Sequence, residues 1–545
     1  MNKILLFFLA LVAVFPIWAQ SSSNLSLVGS YDYSGIAEAN DVWGYVDNDG
    51  REYALVGLKT GLSVIDLGDP VNPTEIFFIA GAYSTWRDIK VWENYAYITN
   101  ESSDGLLIVD LSDITGETFI NHDEHFWSAH NIFIDEFGKA YIFGADIGNG
   151  GLILLDLTTD PMDPVYLGNF DDFYLHDGMA RGDTLWGSAI NVGEFYAIDV
   201  SDPTNPESFM TSDTIPIPVS HATPHETTHN AWISDDGNTL FTTDEESGGY
   251  IAAYDVSDFD NIQELDRIKS SPSIGTVIPH NTHVLGNFLV SSYYRDGIVV
   301  HDATYPNNMI EVAHYDAYDE GGDGFDGSWG AYPWLPSGLI LSSEINSGSV
   351  GEGELLVLQP EYEQACYLDG IVTDLVSGAT LPLATIRILT SNVINTNSTL
   401  NGDYFTGIAS SGTYDVEYSK FGYFSDTLEL VLENGVLLTA NMALIPELSF
   451  TASGQVVDAN GNGIDSAQVS VFSGFITHDK LTDANGNFSL DTMFEGSYSV
   501  MAGHWGYISD CSDEYVTEIS NQISITLAEG YYDDFTFDFG WETLG

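Results

Sequence analysis

Leu106-Leu107-Ile108-Val109-Asp110 is the stretch on which the reading of this chain turns. Four apolar residues closed by an Asp make a short buried strand that stops abruptly, and the same unit returns along the first two thirds of the sequence. It recurs as Leu62-Ser63-Val64-Ile65-Asp66, Leu152-Ile153-Leu154-Leu155-Asp156 and Phe195-Tyr196-Ala197-Ile198-Asp199. Ile251-Ala252-Ala253-Tyr254-Asp255 and Gly297-Ile298-Val299-Val300-His301-Asp302 continue it, and Leu355-Leu356-Val357-Leu358 is a seventh copy without the Asp. The six Asp positions lie 44, 46, 43, 56 and 47 residues apart. Periods in the forties are those of one four-stranded propeller blade.

Each period also parses internally. In the second, Asp88 to Trp92 reads as strand a, Tyr95 to Asn100 as b, Leu106 to Leu111 as c and the stretch near Phe119 as d. Seven a–b–c sets follow from this reading, but the chain leaves the pattern at Gln359-Pro360 without a last strand d. The segment Leu25 to Tyr31 has no set of its own. It is expected to complete the seventh sheet, because closing the ring removes the exposed edge of an open fan.

The rest of the chain carries a second repeat. Gly370, Val372, Asp374, Gly402, Gly412, Tyr414, Val416, Gly422 and Tyr423 reappear 84 residues later, from Gly454 to Tyr507. Glycines at fixed places and alternating strands suit a small two-layer sandwich. The expected fold is all-β, a seven-bladed propeller over 24–361 followed by two small sandwiches over 366–446 and 450–530. Residues 531–545 read as a tail or the start of a further module.

The propeller repeat resembles the LVIVD repeats of the choice-of-anchor B family of exported bacterial proteins. The segments Leu106 to Asp110 and Leu62 to Asp66 carry that resemblance most clearly. It implies a cell-surface or secreted protein and no particular activity. The stretch from Gly412-Thr413-Tyr414-Asp415-Val416 to Gly422-Tyr423 is similar to the carboxypeptidase regulatory-like fold, a transthyretin-like module that accompanies peptidases without making this chain one.

Composition limits the partners. The chain has 545 residues with 13 Lys+Arg against 81 Asp+Glu, a net charge of -68. Such acidity excludes nucleic acid, whose binding rests on basic side chains, and opposes an anionic membrane. With 44% hydrophobic and 13% aromatic residues the chain builds cores and is not disordered. Residues 1–19 read as a secretory signal peptide: Lys3, an apolar run from Ile4 to Phe15, and Ile17-Trp18-Ala19 before Gln20. No later segment reaches the roughly 20 apolar residues of a membrane span. Cys366 and Cys511 fall in different modules and are expected to be free thiols.

The chemistry is expected at one mouth of the ring. The starts of strand a gather around the axis, and the ends of strand b lie beside them about 4.8 Å away. Those starts read Asn40-Asp41, Arg87-Asp88, His130-Asn131, His176-Asp177, His229-Asn230 and His280-Asn281. The strand-b ends offer Glu101, Asp146, Asn191, Asp244, Glu245 and Glu344. Imidazole with carboxylate suits zinc, and carboxylates alone suit calcium. The candidate ligand or metal set is therefore His130, His176, His225, Glu226, His229, His280, His283, Glu101, Asp146, Asp244 and Glu344. The second residue of each dyad, Asp or Asn in six blades, instead reads as a device satisfying backbone amides.

His225-Glu226-Thr227-Thr228-His229 matches the H-E-x-x-H pattern, which works only on a helix. The prolines before it and the β-branched residues within it predict a loop that adds His225 and Glu226 to the cluster. Asp319, Asp323 and Asp326 mark an acidic loop suited to calcium or left solvated. The loop from Asp458 begins like an EF-hand but has Val469 at its twelfth position, so a hairpin turn is expected. The function expected is a binding or adhesion scaffold for an extracellular protein or glycan, using this mouth. The rival is a metal-dependent hydrolase at the same mouth, with Glu101, Asp244 or Glu344 as base.

Overall fold

A computed structural model describes residues 21–530 except 34, 36, 213–215, 272–275, 319–323, 347–352, 391–393 and 475, together with residue 537. The signal-peptide reading over 1–19, and Asp319 and Asp323, lie outside the described residues. Every regular element described is a β-strand. Two compact units are present, the first containing the propeller and the second most of the two C-terminal modules.

Seven antiparallel sheets form the blades. In the second, Ile89–Trp92, Tyr95–Ile98, Leu106–Asp110 and Phe119–His122 pair in sequence order as a to d. The third uses Asn131–Ile134, Lys139–Phe143, Leu152–Asp156 and Val165–Phe170 in the same order. The seventh is completed from the other end of the chain. Leu25–Asp32 lies antiparallel to Glu354–Pro360, with Leu27 opposite Leu358 and Gly29 opposite Val357. Each strand a packs on the strand a of the next blade, and that of the seventh (Ser328–Tyr332) packs on that of the first (Ala39–Val46). The ring is closed, as the sequence predicts. At that seam Gly44 is required, since a Cβ there would stand 2.1 Å from the Tyr332 ring.

The Asp that ends each strand c has a shared job. In every copy its Oδ1 accepts the amide of the residue two places on: Gly68, Ser112, Thr158, Ser201, Ser257 and Thr304. These Asx turns end the strand and redirect the chain toward strand d. The apolar residues before the Asp are almost wholly buried and fill the space between blades, as Leu106, Ile108 and Leu155 do with Ile132 and Ile142.

The second repeat also takes the expected form. In the last module Asn487–Met493, Phe450–Asp458 and Gln522–Leu527 make one sheet. Thr477–Leu481, Gln468–Phe472, Gly496–Gly503 and Asp510–Val516 make the other. Val456, Val469, Val471, Leu490, Val500 and Ile525 fill the space between. The module before it repeats the pattern down to a parallel strand pair, Cys366–Asp374 with Met442–Pro446 answering Phe450–Asp458 with Gln522–Leu527. Asp458 accepts the amides of Asn460 and Asn462 with Gly461 at φ 84°, so that loop is a turn. Both cysteines are free, Cys366 buried and Cys511 exposed.

Candidate metal centre

Blades three to six each place one histidine at the entrance-side start of strand a. The chain arrives there along the end of strand b, the amides of His130, His176 and His280 donating to the carbonyls of Phe143, Ser188 and Ser292. The four rings follow one another around the axis, with centroids 4.0 Å apart from His130 to His176, 4.4 Å on to His229 and 4.4 Å on to His280. Trp329 continues the arc 4.4 Å beyond His280, and Trp86 stacks on it at 5.6 Å and 13°. Imidazoles from four sheets thus converge because the blades converge.

Their hydrogen bonds leave lone pairs free. His130 Nδ1 meets Glu101 Oε1 at 2.8 Å and His280 Nδ1 meets the Trp329 carbonyl at 2.7 Å, so in each ring Nε2 is the lone-pair nitrogen. Carboxylate and carbonyl partners of this kind orient metal-binding histidines. Nδ1 of His176 and Nδ1 of His229 are buried with no hydrogen-bond partner. Leaving such atoms unsatisfied costs about 1–3 kcal/mol each, which a ligand would recover. Ligand atoms of His130, His176 and His229 lie within 4.8 Å of one another, and so do those of His229, Glu245 and His280. Either trio can hold a transition metal.

The charge states of His176 and His280 favour the same use, and that of His130 does not. Burial drives His176 and His280 well below the ordinary histidine range, reinforced by repulsion from neighbouring imidazoles. Neutral imidazole is the ligating form. Burial also works against a charge on His130, but the hydrogen bond and charge of Glu101 outweigh it and hold this ring above its usual value. Glu245 sits 3.5 Å from His229 Nε2 and 4.0 Å from His280 Nε2, and receives the Tyr294 hydroxyl.

Beneath the imidazoles three second residues of the dyads, Asp41, Asp88 and Asn230, bind blade to blade, while the Oδ1 atoms of Asn131 and Asn281 have no hydrogen-bond partner. Asp41 accepts the amide of Ile89 at 3.0 Å, Asp88 that of Ile132 at 2.9 Å, and Asn230 that of Thr282 at 3.2 Å. Asn230 also donates to Asp177 at 2.9 Å. The amides served by these three belong to the next blade, so at Asp41, Asp88 and Asn230 the role is architectural. Lys90, 2.7 Å from Asp88 and 3.7 Å from Asp41, balances it. Burial opposes ionisation of both acids, but Lys90 holds Asp88 low while the Asp88 charge adds to the rise of Asp41.

The other predicted site residues take separate places. His283 is buried in an aromatic layer with Trp232 at 4.7 Å and Trp334 at 5.0 Å, where burial holds it near a pKa of about 3. Asp146 is exposed and accepts the amides of Trp127 and Ser128. Asp244 accepts the amides of His225 and Thr227, so it shapes the loop that was expected to bring His225 inward. That loop is no helix, and it turns His225 to Glu246 at 2.8 Å and leaves Glu226 exposed at φ 55°. Neither joins the imidazole arc. Glu344 is sealed in blade seven against Ser328 and Ser342, where burial raises its pKa to about 8. Asp326 spends both oxygens on Arg295 and Asn346.

Trp86, Trp329 and Tyr294 are the mouth residues that motif reading missed. Trp329 stands where the seventh blade would carry its histidine, a signal visible only after the blades are aligned.

Residues 50–80 and 85–120 match the family described as the LVIVD repeat. The chain carries LVIVD repeats. Residues 451–528 match the carboxypeptidase regulatory-like domain. No curated protein matches. Among solved structures, the β-propeller domain of Myceliophteria thermophila Cps50 (Swd1) aligns at 10% identity and a TM-score of 0.41, covering 60% of this chain and 98% of that one. LVIVD repeats and a regulatory-like sandwich fit a binding or scaffold role. Among the described residues no helix is long and apolar enough to cross a membrane.

Proposed function

We propose that this chain is an exported surface or secreted binding scaffold whose propeller mouth takes a divalent transition-metal ion on the His130–His176–His229–His280 arc. The observation that carries this reading is the pair of buried, unpartnered imidazole nitrogens, His176 Nδ1 and His229 Nδ1, within a cluster whose ligand atoms lie within 4.8 Å of one another. Nitrogen donors favour zinc, copper or nickel over calcium. Glu101 and the Trp329 carbonyl would act as orienting partners, and Glu245 as a further oxygen donor. Export rests on the segment 1–19 and suits the acidity of the chain, and an extracellular protein or glycan would meet the metal at the exposed side of the arc.

The hydrolase reading finds less support. It requires a free carboxylate base beside the metal, yet Asp244 is occupied by loop amides and Glu101 by His130. Metal analysis of the purified full chain tests the proposal. Replacing His176 and His229 together by Ala should remove one equivalent of zinc while the melting curve stays cooperative. Unchanged zinc content in that folded variant would overturn it.

A further inference from the structure

A second cluster lies far from the axis in the order of strands, on the outermost strand of blade two. The run His122-Asp123-Glu124-His125 closes strand d and enters the loop to blade three. His122 is buried, and its Nε2 lies 3.1 Å from Oδ1 of Asp163, which belongs to the c–d turn of the third blade. Ligand atoms of His122, Glu124 and Asp163 all fall within 4.8 Å of one another. We propose that His122, Glu124 and Asp163 form a second transition-metal site of the zinc class, which clamps the outer edges of blades two and three.

Three features suit this cluster to a metal. Bonds of 2.0–2.2 Å to a tetrahedral zinc place neighbouring ligand atoms about 3.3 Å apart. The His122–Asp163 gap is already close to that, and the exposed Glu124 can swing in. A second imidazole lies nearby: the His125 ring is 5.1 Å from that of His122. Its Nε2 meets the Pro164 carbonyl at 2.9 Å, so Nε2 carries the proton and Nδ1 the lone pair. Finally, the turn that bears Asp163 is pinned beforehand. Tyr97 of blade two donates its hydroxyl to the Pro161 carbonyl at 3.0 Å, and the Asp163 amide closes onto Asp160 at 3.0 Å. A site whose supports are fixed before the metal arrives loses little freedom on binding.

The test is zinc titration of the chelator-treated full chain by calorimetry, with thermal melting alongside. In the His176→Ala/His229→Ala background one equivalent should remain, and zinc should raise the melting temperature. Adding Asp163→Asn, a change at an exposed side chain, should remove that equivalent and the thermal shift, and His122→Ala should do the same. Should the double-Ala background not fold, Asp163→Asn in the native chain should lower the zinc content by one. Zinc content indifferent to both Asp163→Asn and His122→Ala would overturn the outer site, whatever happens at the mouth.

Discussion

Single side chains at the ends of strands do most of the specifying in this propeller. The Asp of each repeat unit holds its turn through a charge-assisted bond to the amide two residues on, and at Asp156 the Thr158 hydroxyl adds another at 2.6 Å. Replacing Asp156 by Ala should cost about 1–2 kcal/mol, read as a lower midpoint in urea unfolding. Glu344 makes the opposite case. Its carboxyl ionises near 4.5 in the unfolded chain and near about 8 in the fold, because burial disfavours the charge. Between those values the folded protein holds a proton that the unfolded chain has released, so stability falls as pH rises through the window. Glu344→Gln should therefore leave stability near pH 4.5 almost unchanged and raise it by a few kcal/mol at pH 9, on the order of the shift itself. A parallel pH profile for both proteins would refute the assignment. The turn Asp was legible in the sequence because it repeats. The burial of Glu344 was not, because strand-end carboxylates look alike until their neighbours are known.

At the scale of strands and sheets, the sequence pattern and the structure agree where periodicity carries the information. Strands a, b and c of blade two fall within two residues of their expected ends, strand d begins at Phe119, and the segment near Leu27 completes the seventh sheet. The closing pair offers a direct check. Ser26 and Gln359 are exposed partners across it, and antiparallel partners stand about 4.5–5.5 Å apart, within disulfide reach. Ser26→Cys/Gln359→Cys should form a disulfide on mild oxidation and raise the melting temperature. A pair that stays reduced would place the two ends apart. Where one residue decides, the pattern was weaker. Asp244 and Glu245 are adjacent at the end of one strand, and successive side chains point to opposite faces. Only Glu245 reaches the imidazoles, while Asp244 caps the loop behind them. The same capping explains why the H-E-x-x-H run fails as a site, since its amides are bonded to Asp244 in a turn.

For the whole molecule, the main consequence is convergence. Closing seven sheets into a ring brings histidines from positions 130 to 280 into one arc, though no two of them are sequence neighbours. Their spacing followed from the repeat. The aromatic end of the arc at Trp329 and Trp86 did not, because Trp329 replaces the repeated histidine and Trp86 lies just before the Arg87-Asp88 dyad. Burial opposes a charge on His176 and His280, and the carboxyl groups of Glu101 and Glu245 flank the arc, a setting for a cation in a chain of net charge -68. Anomalous diffraction from crystals of the zinc-loaded full chain tests the central claim most directly. A zinc peak about 2.1 Å from the nitrogens of His130, His176 and His229, or from those of His229 and His280 with a Glu245 oxygen, is the result predicted. Crystals in which these four rings carry no zinc, at saturating zinc, would contradict it.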